Sequence, residues 1–279
     1  MIGAALLSLS TLVLLAPADG GVLLARPVAL SADHLEIFKK ESRAQYKGHA
    51  VARRDALTLT CDVLDVFLTP AGDVTRLVAR GNVVAIENDR EARGDEAEFV
   101  NETGELTLRG HPWGRQGGRE VDGELVSFIT GIDRLTVTKA HTRVKEPADQ
   151  KLTIDADLLT FEGPKNEARW TGHVKAVKGK TTLLTPDLLA ISGTNGEVTR
   201  VKARGGAEVT EADRWARGQF ADYDVEAGRL VVTGNPQARD GKVRMKGTKV
   251  TFLSGTEFLE VENATTIITP DGAKPKKGN

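Results

Sequence analysis

TRLVARG (Thr75–Gly81) and TRVKARG (Thr199–Gly205) are nearly the same heptapeptide, 124 positions apart. The offset extends far beyond them. It carries Gly48-His49 onto Gly172-His173, Arg93-Gly94 onto Arg217-Gly218, and Gly110 and Pro112 onto Gly234 and Pro236. Further on, Gly123, Val126, Phe128 and Gly131 land on Gly247, Val250, Phe252 and Gly255. No gap is needed between 31–144 and 155–268. So long a period exceeds the roughly 20–50 residues of a solenoid unit and reads as a duplicated domain. Each copy is near the common domain size of about 100–150 residues. The sequence therefore predicts two tandem domains, 21–144 and 145–268, joined by the short Pro147-containing stretch KEPADQKL (145–152).

Within each copy the dominant pattern has period two. LTLTCDVLDVF, GELTLRG, GELVSFIT and DRLTVTKA alternate apolar with polar residues, as half-buried strands do. Thr and Val are frequent, and turn residues punctuate the pattern at all-β spacing. The one helix-like stretch, DREARGDEAEFV (89–100), is broken by Gly94, and its repeat DRWARGQFADYD carries Trp and Tyr, so it too is expected to be strand. GRQGGRE (114–120) is expected as a hairpin loop. Glycines 48, 81 and 110 are expected to open strands, and Asp33, Asp62, Asp95 and Glu124 recur at 29, 33 and 29 residues. Each copy thus divides into four strand–turn–strand units of about 31 residues, a period typical of stacked repeats. The fold class is all-β: two tandem antiparallel β-jelly-rolls whose inward residues alternate along every strand.

That alternation selects an interior. In the first copy Leu59, Leu64, Val83, Ala97, Phe99, Leu108, Val126 and Phe128 point inward, and in the second Leu183, Leu188, Val209, Ala221, Tyr223, Val232, Val250 and Phe252. They form either a filled sandwich core or the lining of an apolar trough.

Composition narrows the function. With 38 basic and 39 acidic residues and 5% aromatics, the chain has neither the basic footprint nor the stacking surface of a nucleic-acid binder. Its single cysteine, Cys61, excludes an internal disulfide framework and is expected to be a small buried filler. The apolar run before Ala16-Pro17-Ala18 marks residues 1–18 as a secretory signal or a short anchor. The polar tail 269–279, rich in Pro, Gly and Lys, is expected to be disordered. There is no HxH, HExxH, CxxC or GxSxG pattern and no phosphate-cradling loop, so no metal, cofactor or catalytic residue is expected. The repeated Arg76, Arg80, Arg93, Arg200, Arg204 and Arg217 are either a solvated strand face or a rim that meets anionic headgroups, for which guanidinium forks are suited.

The segment ARGQFADYDVEAGRLVVTGNPQARDGKVRMKGTKVTFL (216–253) resembles the OstA-like domain of the LptA family of lipopolysaccharide-transport proteins. Gly218 through Tyr223 match its G-x-A-x-x-x-Y element, Leu230 through Asn235 its VVLTGN-like strand, and Lys246 through Leu253 its KGDKITYL-like strand. ARGDEAEFVNETGELTLRGHP and DGELVSF echo these in the first copy. The resemblance implies V-shaped rolls whose apolar interior shields lipid A acyl chains. It further implies a periplasmic location, end-to-end pairing of free strand edges with other β-roll proteins of the export system or with itself, and energy supplied by an inner-membrane partner. A bridge carrying lipopolysaccharide between the two membranes is the leading expectation. The alternatives are a membrane-anchored component resembling LptC, or a structural β-roll without lipid.

Overall fold

The structure is a computed structural model, and it describes residues 28–145, 151–212, 214–253 and 258–268. The first copy contributes β1 (Ala29–Ser31), β2 (His34–Phe38), β3 (Arg43–Arg54), β4 (Leu57–Leu68), β5 (Val74–Glu87) and β6 (Arg90–Val100). It continues through β7 (Glu105–Arg109), β8 (Trp113–Gln116), β9 (Arg119–Asp122), β10 (Leu125–Ile129) and β11 (Arg134–Lys145). The second contributes β12 (Lys151–Glu162), β13 (Glu167–Lys178), β14 (Thr181–Ser192), β15 (Val198–Glu211), β16 (Arg214–Asp224) and β17 (Arg229–Thr233). It ends with β18 (Gln237–Asp240), β19 (Val243–Lys246), β20 (Lys249–Leu253), β21 (Leu259–Glu262) and β22 (Thr265–Ile268). The 22 strands of the described residues all belong to one antiparallel sheet. Six rungs are split in two at their midpoint, so the strands stack as sixteen rungs of a roll. The expected strand at 89–100 is β6.

Two conformational devices bend this ladder. Short 3-10 turns at Lys39–Glu41, Thr130–Ile132 and Gly163–Lys165 each end on a left-handed residue, Ser42, Asp133 and Asn166. Of the glycines expected to open strands, Gly48 and Gly81 instead sit in the middle of β3 and β5, and Gly110 follows the end of β7. Between the pairs Lys47↔Val63 and Ala50↔Cys61, both Gly48 and His49 oppose the single residue Asp62. Their φ angles are +76° and +46°, and a two-for-one insertion of this kind is a bulge that kinks the strand. Only residues free of, or tolerant of, the left-handed Cβ clash suit it, which explains Gly followed by His, Asn or Gly. Gly81-Asn82, Gly172-His173 and Gly205-Gly206 repeat the device against Asp95, Pro186 and Gln219.

The recurring acids decorate the outside of this bend. His49 Nδ1 lies 2.8 Å from Asp33 Oδ2, the Asn82 amide donates to Asp62 at 2.9 Å, and His111 Nδ1 lies 3.3 Å from Asp95. GRQGGRE is mostly strand rather than loop: Arg115 pairs with Glu120 and Gln116 with Arg119, leaving only Gly117-Gly118 as the turn.

The bend folds each rung into two wings that face one another. Trp170 is paired in one wing with Leu159 and Leu188, whereas Thr142 is paired in the other with Ile154 and Val121. Yet the Trp170 indole N–H donates to Thr142 Oγ1 at 3.1 Å, with both side chains fully buried. A single apolar cluster runs between the wings, from Ala50 to Phe252. Cys61 belongs to it, and burial pushes its thiol up to about 11.

The copies are joined edge to edge. Strand β11 pairs with β12 along its whole length, from Arg134↔Glu162 to Lys145↔Lys151. Of the expected linker, 146–150 fall outside the described residues, as do the candidate signal (1–18) and the tail (269–279). Among the described residues the outer rungs have no such neighbour. Leu35 and Ile37 on β2 are 52% and 66% exposed, while their repeats Leu159 and Phe161 on β12 are 0% and 2% exposed.

Candidate functional site: an apolar cavity in the first copy

Between the wings of the first copy lies a cavity of about 170 Å³. All eight inward residues expected there, Leu59, Leu64, Val83, Ala97, Phe99, Leu108, Val126 and Phe128, line it. Val28, Ala52, Leu57, Leu77, Ala79, Ala85, Ala92 and Leu106 complete the wall, which is apolar apart from Glu91 and the charged residues at its mouth. For scale, a dry engineered cavity of about 150 Å³ admits benzene. The mouth is at the β3–β4 and β5–β6 hairpins, where Arg53, Arg54, Glu87 and Arg90 stand around it, with Glu87 and Arg90 3.7 Å apart.

In the second copy Leu183, Leu188, Val209, Ala221, Tyr223, Val232, Val250 and Phe252 all lie in the core, none more than 7% exposed. The offset exchanges Tyr46, Ala50, Ala85, Gly114 and Ile37 for the larger Trp170, Val174, Val209, Ala238 and Phe161, and Leu57, Leu77, Val83 and Leu108 for the smaller Thr181, Val201, Ala207 and Val232. The positions of Arg54 and Leu57 at the mouth become Lys178 and Thr181, both buried. In the first copy the inward residues enclose a cavity, and in the second their counterparts are buried in the core.

The model of the family described as LptA/(LptD N-terminal domain) LPS transport protein matches residues 29–130 and 153–258. The chain belongs to this family. In this LptA/LptD N-terminal family member the two matched segments are the two copies of the roll, and both contribute to the one sheet. Among solved structures it is similar to LptH from Pseudomonas aeruginosa, described as the LptA homologous periplasmic component of the conserved lipopolysaccharide transport device. The similarity is 17% identity over 42% of this chain and 86% of that one, with a TM-score of 0.39. No curated protein matches the chain.

The six repeated arginines of this family member do not surround the cavity. They project from the outer faces of the wings, each next in sequence to an inward residue: Leu77, Ala79, Ala92, Val201, Ala203 and Ala216. Arg76 pairs with Glu98 at 2.6 Å and lies over the Phe67 ring, Arg80 bonds Asp65 at 2.7 Å, and Arg200 holds Asp222 at 2.6 Å. Arg93 pairs with Glu91 and lies over Trp113, Arg217 donates to Gln237 at 2.9 Å, and Arg204 is exposed. The charged residues at the mouth were missed by the sequence reading, although the offset carries a signal for them. Arg54, Glu87 and Arg90 become Lys178, Glu211 and Arg214, retaining charge sign at all three. Among the described residues, no three His, Cys, Asp or Glu side chains converge in a way that could hold a metal.

Proposed function

We propose that the chain is an exported, periplasmic lipopolysaccharide-transport protein that shelters a lipid A acyl chain in the first-copy cavity and meets its neighbours through its free edges. The observation that carries this reading is an apolar furrow, open at a charged mouth, inside a member of a lipopolysaccharide-transport family. Hydrocarbon in water costs about 0.8 kcal/mol per methylene, so a carrier needs apolar wall rather than catalytic groups. The small Ala79, Ala85, Ala92 and Ala97 leave room for a chain that must also depart. Arg53, Arg54 and Arg90 put guanidinium forks where a lipid phosphate would emerge. A benzophenone side chain at position 106 is expected to crosslink to lipopolysaccharide. Ala79→Leu with Ala97→Leu, which refills the furrow, should cut that yield at least tenfold without lowering the urea midpoint. Failure of positions 59, 106 and 128 alike to reach lipid would sink the proposal.

The β11–β12 seam supplies a register for the edges. Moving its pairs by the offset sets Leu259 against Ile37, Val261 against Leu35 and Ala264 against Ala32 of a second molecule. Such pairing would cover Leu35 and Ile37, the exposed apolar residues of an edge strand. In a Cys61→Ala background, mixing Leu35→Cys with Val261→Cys chains should give an oxidised heterodimer, since facing residues bring Cβ atoms within disulfide reach. Glu260→Cys in place of Val261→Cys should give far less. Equal yields would rule out this register.

A further inference from the structure

The chain enters the first copy through the wall of the cavity. Val28 lines it, and the next residue, Ala29, opens β1 and pairs with Arg53 on β3. The same register in the second copy sets Leu152 against Lys178, so Val28 stands level with Arg54 at the mouth. Arg54 is the last residue of β3. Residues upstream of Val28 therefore have no more of β3 to pair with, and Pro27 brings no N–H to a ladder. The chain reaches the roll beside the opening of its own furrow.

What stands there is unlike its repeat. The offset turns Val22-Leu23-Leu24-Ala25 into Glu146-Pro147-Ala148-Asp149. The second copy is entered through a polar stretch, so the fold itself does not call for four apolar residues before its first strand. Left in water, they expose hydrocarbon at the usual cost. Residues 19–27 lie between the candidate signal or anchor and Val28, so the stretch stays with the roll under either reading of 1–18.

The dimensions agree. Leu24 is four residues from Val28, a reach of about 14 Å at roughly 3.5 Å per residue. Counted across the ladder through Arg54, Leu57 and Glu87 are two and three rungs from Val28, about 10 and 14 Å at roughly 4.8 Å per rung. Just inside them the wall is Leu59, Ala85 and Ala92. The cavity of about 170 Å³ exceeds the roughly 150 Å³ that admits benzene, and a leucine side chain has fewer carbons than benzene. A tether of a few residues sets an effective concentration on the order of millimolar.

We propose, resting on the lipid-carrier function, that Val22-Leu23-Leu24-Ala25 seats in the mouth of the first-copy cavity and occupies it until a lipid acyl chain displaces it. An empty carrier then covers its apolar wall with its own leucines. Lipid binds only the fraction of molecules whose mouth is clear, and its apparent affinity is reduced by that fraction.

A benzophenone side chain at position 57 of the lipid-free exported chain is expected to crosslink to residues 19–27, read by mass spectrometry of the digest. Mixing isotopically heavy and light chains should show that the link forms within one molecule. Leu23→Asp with Leu24→Asp should abolish it and raise the affinity for cis-parinaric acid, a fluorescent fatty acid, at least threefold. Leu23→Ile with Leu24→Ile should leave both unchanged. The proposal is overturned if position 57 does not reach 19–27, if the links join heavy to light chains only, or if the aspartate pair leaves the fatty-acid affinity unchanged. It is overturned in favour of a membrane contact if the aspartate pair abolishes binding to phosphatidylglycerol vesicles and spares the crosslink. Lipopolysaccharide crosslinking from position 106 that persists through such a failure leaves the carrier function standing. Absence of both lipid crosslinking and fatty-acid binding in every form overturns that function, and this regulation with it.

Discussion

Trp170→Ala is expected to lower the unfolding free energy by about 3–5 kcal/mol, the range for deleting a large buried aromatic side chain. Trp170 is 0% exposed and is the largest side chain buried so completely in the core. Its ring spans the gap between the wings just past the seam, and its N–H is satisfied by Thr142 on the opposite wing. Removing it leaves a void too enclosed to collapse, because both walls are held by paired strands. Thr142→Val keeps the volume but orphans the buried indole N–H, and should cost about 1–3 kcal/mol. Trp170→Tyr, the residue found in the first copy, should fall between Trp170→Ala and wild type. Equilibrium urea unfolding checks all three. A loss below about 1 kcal/mol for Trp170→Ala would mean that the wings are not braced through this residue.

The second large effect is expected at Asp65. This carboxylate is 3% exposed on the outer face of β4, beneath a lid of polar side chains. Arg43 donates to it at 2.6 Å, Gln45 at 2.8 Å and Arg80 at 2.7 Å. Burial alone would push its carboxyl up, but the bonds from Arg43, Gln45 and Arg80 outweigh burial and hold it below the usual range. Asp65→Ala removes the shared acceptor. Because Arg43 keeps Glu41, Arg80 keeps Glu96 and both guanidinium groups reach solvent, the loss should be about 2–3 kcal/mol, short of the roughly 3–5 of a fully sealed pair. A carboxyl depressed on folding contributes its stability above its unfolded value near 3.9, and loses it as pH falls through the lower folded value. The difference between wild type and Asp65→Ala should therefore be constant from pH 7 to about pH 5 and shrink below about pH 4. A difference that instead grew on acidification would contradict the ion-pair account.

The fold was legible because alternation and duplication are properties of the letters. LTLTCDVLDVF states its inner and outer faces directly, and the offset maps β3 through β10 onto β13 through β20. The bulges were not, since a period-two pattern carries no information about the sign of φ. Gly48 reads equally well as the start of a strand or the middle of a kinked one, until Gly48 and His49 are both seen to oppose Asp62. At the site, the eight first-copy wall residues could be chosen by parity alone. Whether the wall encloses space depends on what faces it across the gap, and sequence order does not show that Trp170 meets Thr142. The exchanges of Ala50 for Val174 and Ala85 for Val209 were visible, but their meaning depends on lying between two facing wings. The six repeated arginines stand on an outer strand face, one of the two places the sequence left open for them: outward parity puts Arg80 on Asp65.

The seam between β11 and β12 changes how an assembly of such rolls is counted. Sixteen rungs at roughly 4.8 Å make a rod of about 70 Å from one polypeptide. Its central joint forms at a fixed local concentration, independent of how many molecules the compartment holds. Dilution can separate neighbouring rods, but it cannot shorten the rod itself.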